Sequence, residues 1–356
     1  MNDNILTLQI EPLDTLFFRD GKPFSMGDDT WADGVFPPAP SVIYGAIRSW
    51  ILANDKSVTI DNIIKETDDL EILDLYYQIN GKTVLPLPLD YVTKKEKDKQ
   101  SIYEEVLNKK IKVERLPIVE NNIISSVEAS RLFFNNQNYI LETVKNAFIT
   151  VGDFTAYLNN KDNEIEAEMI DIKVEPKIGI ERTNETLASE DGKLYRVGLN
   201  RFNNLKFIVR IKSKHLSENY SKLLKFGGEG KIVVINDYLK SKKGAKRLRI
   251  EPQIKTDRLL VYLATPAIFH NSTPDINQYI KTNAKLLGQT TGKVVNIGGF
   301  DMKERQPKIM YKAVPAGSIF LYELDDKINI EDLQQGIKIS DELKEQGFGI
   351  TYFGTF

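Results

Sequence analysis

The spacing of apolar and polar positions predicts short strands and helices in an order that occurs twice. Residues 205–211 (LKFIVRI) are rich in β-branched residues, which is typical of a strand. Residues 42–53 instead place Ile43, Ile47 and Ile51 on one stripe of a helix. The same criteria predict strands at 6–10, 205–211, 231–235, 259–264, 294–299, 313–322 and the end of the chain, and helices at 42–53, 217–226, 274–287 and 330–346.

The doubled order of strand, helix, strand, strand, helix, strand predicts an α+β protein of two tandem ferredoxin-like (RRM-like) domains with glycine-rich loops. We expect the first domain at 1–240, with a long insertion at about 54–174, a basic linker at 241–257 and the second domain at 258–356. The middle stretch has weak periodicity, so we expect it to lie outside the core. Each unit would leave one sheet face free of helices, as in RNA-recognition modules.

The amino-acid composition excludes several kinds of functional site. The 356 residues include no cysteine and two histidines, His215 and His270. A disulfide framework, a thiolate zinc site, a cysteine nucleophile and a histidine-rich metal centre are therefore excluded. The chain has no apolar run of about 20 residues and no signal-peptide pattern at its start, so we expect a cytoplasmic protein that does not enter a membrane.

Charge is distributed unevenly along the chain. The formal net charge is only −2, which alone argues against a general nucleic-acid binder. Residues 206–258, however, hold fifteen Lys and Arg against five Asp and Glu, so this segment is strongly basic and the remainder is acidic. Such a separation of sign is the pattern expected of a local phosphate-binding surface, although a solvated basic face is the ordinary alternative.

A glycine-rich turn lies inside the basic segment, at FGGEGK (226–231). Gly227, Gly228 and Gly230 permit positive φ and close backbone approach, so their amides can converge on a phosphate oxygen beside Lys231. A helix C-cap would need one glycine, whereas this turn has three. We therefore predict that the turn contacts phosphate. The basic run at 240–250 fits best as the linker between the domains.

A second candidate surface is the loop DTLFFRDG (14–21), followed by the helix start FPPAPS (36–41) with Ser41 as N-cap. Arg19 in the loop and Arg48 on the helix can contact phosphate in a bidentate way. For Arg19, an ion pair with a neighbouring acid is an equally good interpretation. For Arg48, the alternative is a place on a solvated helix face. Phe17 and Phe18 can stack on bases, but burial in the core is the commoner role.

Several of these runs are similar to those of one protein family. IEPLDTLFFRDGKPF, FPPAPSVIYGAIRSW, GIERTNETLASEDGKLY, FGGEGK and PKIMYKAVPAGSIF together resemble the third subunit of the Cmr complex, a RAMP (repeat-associated mysterious protein) of type III-B CRISPR–Cas effectors. The matches lie in both halves of the chain. The charged stretch at about 94–128 matches no motif of that family.

The resemblance implies a non-catalytic subunit without a cofactor that caps the crRNA 5′ handle. It implies as partners the large polymerase-like subunit and a backbone RAMP subunit, and target RNA only indirectly. The handle-facing residues implied by the motifs are Arg19, Arg48, Gly227, Gly228, Gly230 and Lys231.

Two alternatives stay open on the sequence. A RAMP endoribonuclease that processes precursor crRNA would need His215 or His270 in its site, and two isolated histidines count against it. The equivalent subunit of a type III-A (Csm) complex would share the fold and the role. A small-molecule enzyme ranks third, since the chain has no cofactor fingerprint.

Overall fold

Strands dominate the described part of the chain. The computed structural model describes residues 5–19, 31–95, 110–120, 130–135, 138, 140–161, 164–182, 189–217, 220–237, 248, 250, 252, 255–271, 273–301 and 303–356. These residues include helices α1 (Pro40–Asn54), α2 (Ile63–Glu66) and α3 (Val151–Leu158), and 3-10 helices at Ile276–Gln278, Ile330–Asp332 and Lys344–Gln346. None of the described helices has the length and apolar character needed to span a bilayer.

One antiparallel sheet of eleven described strands runs through the first half. In spatial order, with strands numbered along the chain, it consists of β15 (Leu223–Lys225), β16 (Ile232–Asp237), β1 (Ile5–Pro12), β14 (Leu205–Lys212), β3 (Glu71–Ile79), β4 (Lys82–Pro86), β10 (Ala147–Thr150), β11 (Glu164–Met169), β6 (Lys110–Arg115), β5 (Tyr91–Lys94) and β9 (Leu141–Thr143). The β1–β14 and β1–β16 pairs place the two ends of the first half side by side.

Helix α1 packs its apolar stripe against this sheet, as the sequence predicts. Ile43, Ile47 and Trp50 are buried in the same core cluster as Leu8 and Ile10 of β1. The predicted cap is wrong by two residues, because the helix begins at Pro40, whose fixed φ suits the first helical turn.

A second antiparallel sheet, of five described strands, lies in the C-terminal half. Its order is β18 (Ala284–Thr290), β23 (Ile319–Asn329), β17 (Lys255–Leu263), β25 (Ile350–Thr355) and β24 (Ile337–Lys338). β1 lies between β14 and β16 in the first sheet, and β17 lies between β23 and β25 in the second, so the first strand of each half is flanked on both sides. The description of the halves as two ferredoxin-like domains stays a prediction.

Three of the four predicted helices are wrong. Residues 217–226 include β15, which pairs with β16. Residues 274–287 form a 3-10 turn and then β18, whose first amide donates to Oδ1 of Asn277 at 2.8 Å. Residues 330–346 are interrupted at Gly336, whose φ of 67° is incompatible with an α-helix. Local apolar periodicity is thus outweighed by strand pairing and by one glycine conformation.

The two halves share one hydrophobic core. The ring centroid of Phe154 on α3 lies 4.6 Å from that of Tyr262 on β17 and 5.7 Å from that of Tyr352 on β25. The Tyr262 hydroxyl donates to the carbonyl oxygen of Pro86 at 2.6 Å. The expectation that the middle stretch lies outside the core is therefore wrong for α3 and β4, while the domain boundaries stay predictions.

A third sheet and three two-stranded ladders complete the described strands. The sheet contains β12 (Ile172–Arg182), β13 (Ser189–Phe202) and β2 (Trp31–Asp33), and the ladders pair β7 (Ile118–Glu120) with β8 (Arg131–Phe133), β19 (Val295–Ile297) with β22 (Tyr311–Ala313), and β20 (Phe300–Asp301) with β21 (Gln306–Pro307). The β12–β13 pair is an antiparallel hairpin. The basic run at 240–250 lies outside the described residues except for Leu248 and Ile250, as do 96–109 and 121–129 of the charged stretch.

Candidate nucleic-acid interface

The described part of the DTLFFRDG loop lies along β13. The amide of Leu16 donates to the carbonyl of Asn200 at 2.8 Å, and the amide of Asn200 donates back to Leu16 at 2.8 Å. Phe17 and Phe18 are buried, Phe17 against Val197 of β13. Both rings therefore belong to the core, which agrees with the structural interpretation made from the sequence.

The glycine turn packs directly on this loop. The amide of Gly228 donates to the carbonyl oxygen of Phe17 at 2.8 Å. A Cβ on Gly227 would lie 2.5 Å from that same oxygen, and Gly227 has a φ of 75°. Gly230 also has positive φ, at 66°, but a Cβ there would meet nothing within 4 Å. Gly227 and Gly228 thus let the turn approach the loop, whereas Gly230 provides a backbone conformation that the turn needs.

The turn connects β15 to β16 rather than capping a helix. Its closing bonds run from the Phe226 amide to the Lys231 carbonyl at 2.9 Å and from the Lys231 amide to the Gly228 carbonyl at 3.3 Å. Residues 227–230 are exposed. Within the part of the chain that the structure describes, the amides of Glu229 and Gly230 have no acceptor. They are free to donate to an anion.

Cations and carboxylates alternate around the turn. The Lys231 ammonium donates to Oγ1 of Thr15 at 2.7 Å and lies 3.5 Å from Oδ2 of Asp14. Arg201 on β13 donates to Asp14 at 2.9 Å and also pairs with Glu175 on β12. These residues tie the loop, the turn and the hairpin into one charged surface, which we call the turn surface.

The turn surface keeps its carboxylates ionised. A hydrogen bond from the backbone amide of Thr15, together with the nearby Lys231 and Arg201, holds the pKa of Asp14 below its ordinary value. A hydrogen bond from Arg201 likewise lowers the pKa of Glu175. An incoming phosphate would therefore compete with carboxylates that are already charged.

The predicted site residues divide into two groups. Gly227, Gly228, Gly230 and Lys231 lie in or beside the turn. Arg19 is exposed, two residues after the carbonyl that holds the turn.

Arg48 belongs to a different environment. Its guanidinium donates to the Tyr44 hydroxyl at 2.9 Å and lies 4.8 Å from the centroid of the Tyr44 ring. The described contacts of Arg48 are thus with its own helix, and burial raises the pKa of Tyr44. The structure does not bring Arg48 to the turn surface.

Sequence reasoning missed the contribution of the β12–β13 hairpin. Lys177 on β12 pairs with Glu229 of the turn at 2.7 Å, and Arg201 on β13 reaches Asp14. These pairs join residues 52 and 187 positions apart. A signal was present in the alternation of Lys173 and Lys177 with apolar neighbours, which is typical of a strand with one charged face.

The two histidines lie apart from the turn surface. Nδ1 of His215 lies 2.9 Å from Oδ2 of Asp55, and Nε2 lies 3.4 Å from Oε2 of Glu66. His270 lies in the C-terminal half. It is exposed, and its Nε2 lies 3.4 Å from Oε1 of Glu342. Among the described residues, no group of three or more His, Asp or Glu could hold a metal ion. The structure therefore does not bring the two histidines into one acid–base pair.

Comparison with solved structures identifies the fold. A chain in the cryo-EM structure of the Type III-B Cmr-beta bound to cognate target RNA and AMPPnP, state 1, is 18% identical, with a TM-score of 0.50, and the match covers 88% of this chain and 86% of that one. A chain in the structure of the Type III-B Cmr-beta bound to cognate target RNA is 19% identical, with the same TM-score and coverage. The fold is thus one found in Cmr complexes.

The family follows from the sequence itself. The family model described as CRISPR-associated protein (Cas_Cmr3) matches residues 8–356. The chain therefore belongs to the Cmr3 family of CRISPR-associated proteins, and the resemblance identified from the motifs is confirmed. No curated protein sequence matches the chain. The match favours type III-B over the type III-A alternative.

Proposed function

We propose that this Cmr3 family member is a non-catalytic RNA-binding subunit of a type III-B effector complex and that it caps the crRNA 5′ handle. It docks the large polymerase-like subunit and a backbone RAMP subunit and meets target RNA only indirectly. Two tandem ferredoxin-like domains supply its sheets. The family match over residues 8–356 supports this assignment, and the turn surface is the observation that carries the handle-binding role.

The turn surface suits a phosphate of a single-stranded RNA. The exposed amides of Glu229 and Gly230 can donate to a phosphate oxygen, and Lys231 lies next to them. The phosphate would replace Asp14 as the partner of the Lys231 ammonium. Because these donors are backbone amides and an ammonium, binding should depend little on base identity.

The test is the affinity of the purified chain for handle RNA as a function of salt. We expect Lys231→Ala to weaken binding for handles of different sequence and to reduce the salt slope by about 0.7, the value for one phosphate contact on a single strand. Arg19→Ala should give a loss of similar size. Lys65→Ala on α2 removes the same charge from an exposed site and is the matched control.

Equal affinities and slopes for wild type, Lys231→Ala and Arg19→Ala would contradict the proposed handle site. A loss seen with Lys65→Ala as well would indicate a general charge effect instead. The same RNA also tests the nuclease alternative. We expect it to stay intact with or without magnesium, whereas cleavage that disappears in His215→Ala would support a ribonuclease built on His215 and Asp55.

A further inference from the structure

A β-hairpin of the C-terminal half lies outside its five-stranded sheet. The ladders β19–β22 and β20–β21 form one hairpin, and we call residues 293–312 the arm. At its base Ile297 and Ala313 are buried in a cluster with Ile268 and Phe348. The arm is thus anchored at its base and exposed beyond it.

The arm concentrates exposed apolar side chains. Fifteen large hydrophobic side chains are exposed in the described part of the chain, and five of them lie in the arm. Their exposed fractions are 58% for Val294, 37% for Val295, 55% for Phe300, 75% for Ile309 and 50% for Met310. Exposed apolar residues scattered singly need no explanation, but such a concentration marks an interaction surface.

Positive charge accompanies the apolar residues. The arm carries five cations, which are Lys293, Lys303, Arg305, Lys308 and Lys312. It has two acids, and the carboxylate of one of them, Asp301, accepts the backbone amides of Lys303 and Glu304 at the hairpin tip.

The cations of the arm form no ion pair with the described residues. All five are exposed, and none of them has an ion-pair partner among the residues that the structure describes. Their positive charge is therefore available to a binding partner.

We propose that the arm docks another protein subunit of the effector complex, through a surface with an apolar centre and a rim of Asp and Glu. The inference rests on the proposed function, which makes the chain one subunit of several. Apolar residues with Met and aromatic side chains form the centres of protein interfaces, and charges form their rims. The unpaired cations select an acidic partner by charge complementarity.

RNA fits the arm less well. Bases bind single-strand proteins chiefly by stacking on aromatic rings. Four of the five exposed apolar side chains of the arm are aliphatic, and Phe300 is the exception. The cations would suit phosphates, but the aliphatic side chains would then remain in water. A protein partner accounts for both features.

The experiment presents each of the other subunits of the effector complex from the same organism, purified singly, to the full-length protein. We expect one subunit to bind, and Ile309→Asp or Met310→Asp to weaken that binding at least tenfold. Lys308→Glu should weaken it too, and the effect should shrink at high salt. Ile64→Asp and Lys65→Glu on α2 are matched exposed controls and should bind as wild type does.

The variants also keep the proposal falsifiable. Lys308→Glu changes an exposed cation and leaves the buried base of the arm intact, so it tests docking even if Ile309→Asp fails to fold. Unchanged affinity in every arm variant, or a wild-type chain that binds none of the subunits, would overturn the proposal. So would a loss of RNA affinity with subunit binding intact, or a dimer of this chain abolished by Ile309→Asp.

The outcomes separate this proposal from the handle site. Arm variants should leave handle affinity unchanged, and Lys231→Ala should leave subunit docking unchanged. If only the handle experiment fails, the arm proposal stands as a protein interface, and if only the docking experiment fails, the turn surface retains its assignment.

Discussion

At the scale of single residues, Asp90 shows how a buried charge is stabilised in this fold. Its carboxylate is fully buried and accepts from Nε of Arg115 at 2.8 Å and from the Tyr157 hydroxyl at 3.0 Å. Arg115 also donates to Asn160 and lies 4.4 Å from the centroid of the Tyr157 ring. The cluster joins β6 to α3, so both ions depend on each other's presence.

Asp90→Asn should therefore lower the free energy of unfolding by about 3–5 kcal/mol, because it leaves the Arg115 guanidinium buried without a counter-charge. Urea unfolding of the purified protein measures this loss. The exposed pair of Lys110 and Glu166 provides the control, since Glu166→Gln should change the midpoint little. Similar small effects of both variants would contradict the buried-pair argument.

At the scale of elements, the β15–β16 hairpin packs closely on the loop of residues 14–19 because Gly227 has no side chain. Gly227 approaches the Phe17 carbonyl so closely that no Cβ fits, whereas Gly230 in the same turn faces open space. Both have positive φ, so the two positions separate the cost of conformation from the cost of contact.

Gly227→Ala should destabilise the protein more than Gly230→Ala. Each substitution costs roughly 1–2 kcal/mol for a left-handed residue with a Cβ, and Gly227→Ala must also displace backbone atoms of the loop. Denaturant unfolding compares the two variants directly. Equal losses would show that the loop moves without cost, and that Gly227 serves only the turn conformation.

At the scale of the whole molecule, the shared core couples the two halves. Phe154 and Tyr262 pack across them, and Lys338 of β24 pairs with Glu71 of β3. Because these contacts are buried or half-buried and join distant segments, separating the halves would expose apolar surface of both.

The described halves should therefore unfold together. Fluorescence of the two tryptophans, Trp31 and Trp50, reports on the first half, and a dye on Lys285→Cys, in a chain otherwise without cysteine, reports on the second. Both signals should share one midpoint. Phe154→Ala should lower the midpoint of both signals together, because it lowers the free energy of unfolding by about 3–5 kcal/mol. Phe134→Ala, at an exposed site, is the control. Two separate midpoints would show that the halves are independent.

The sequence alone determined some of the strands, the first helix and the family. The strand at 205–211 is encoded by its own β-branched residues, the strand at 259–264 by a continuous apolar run, and α1 by its own apolar stripe, so no distant contact is needed to predict them. The runs that resemble the family are contiguous in the sequence and are equally local.

Tertiary structure decided what depends on distant partners. The predicted helix at 217–226 is lost to pairing between β15 and β16. The turn surface joins Lys231 to Thr15, which is 216 positions away, while Arg48 is directed to Tyr44 by its own helix. Apolar periodicity specifies which face of a segment is buried, but pairing between distant strands determines which segment covers that face and which charges come together.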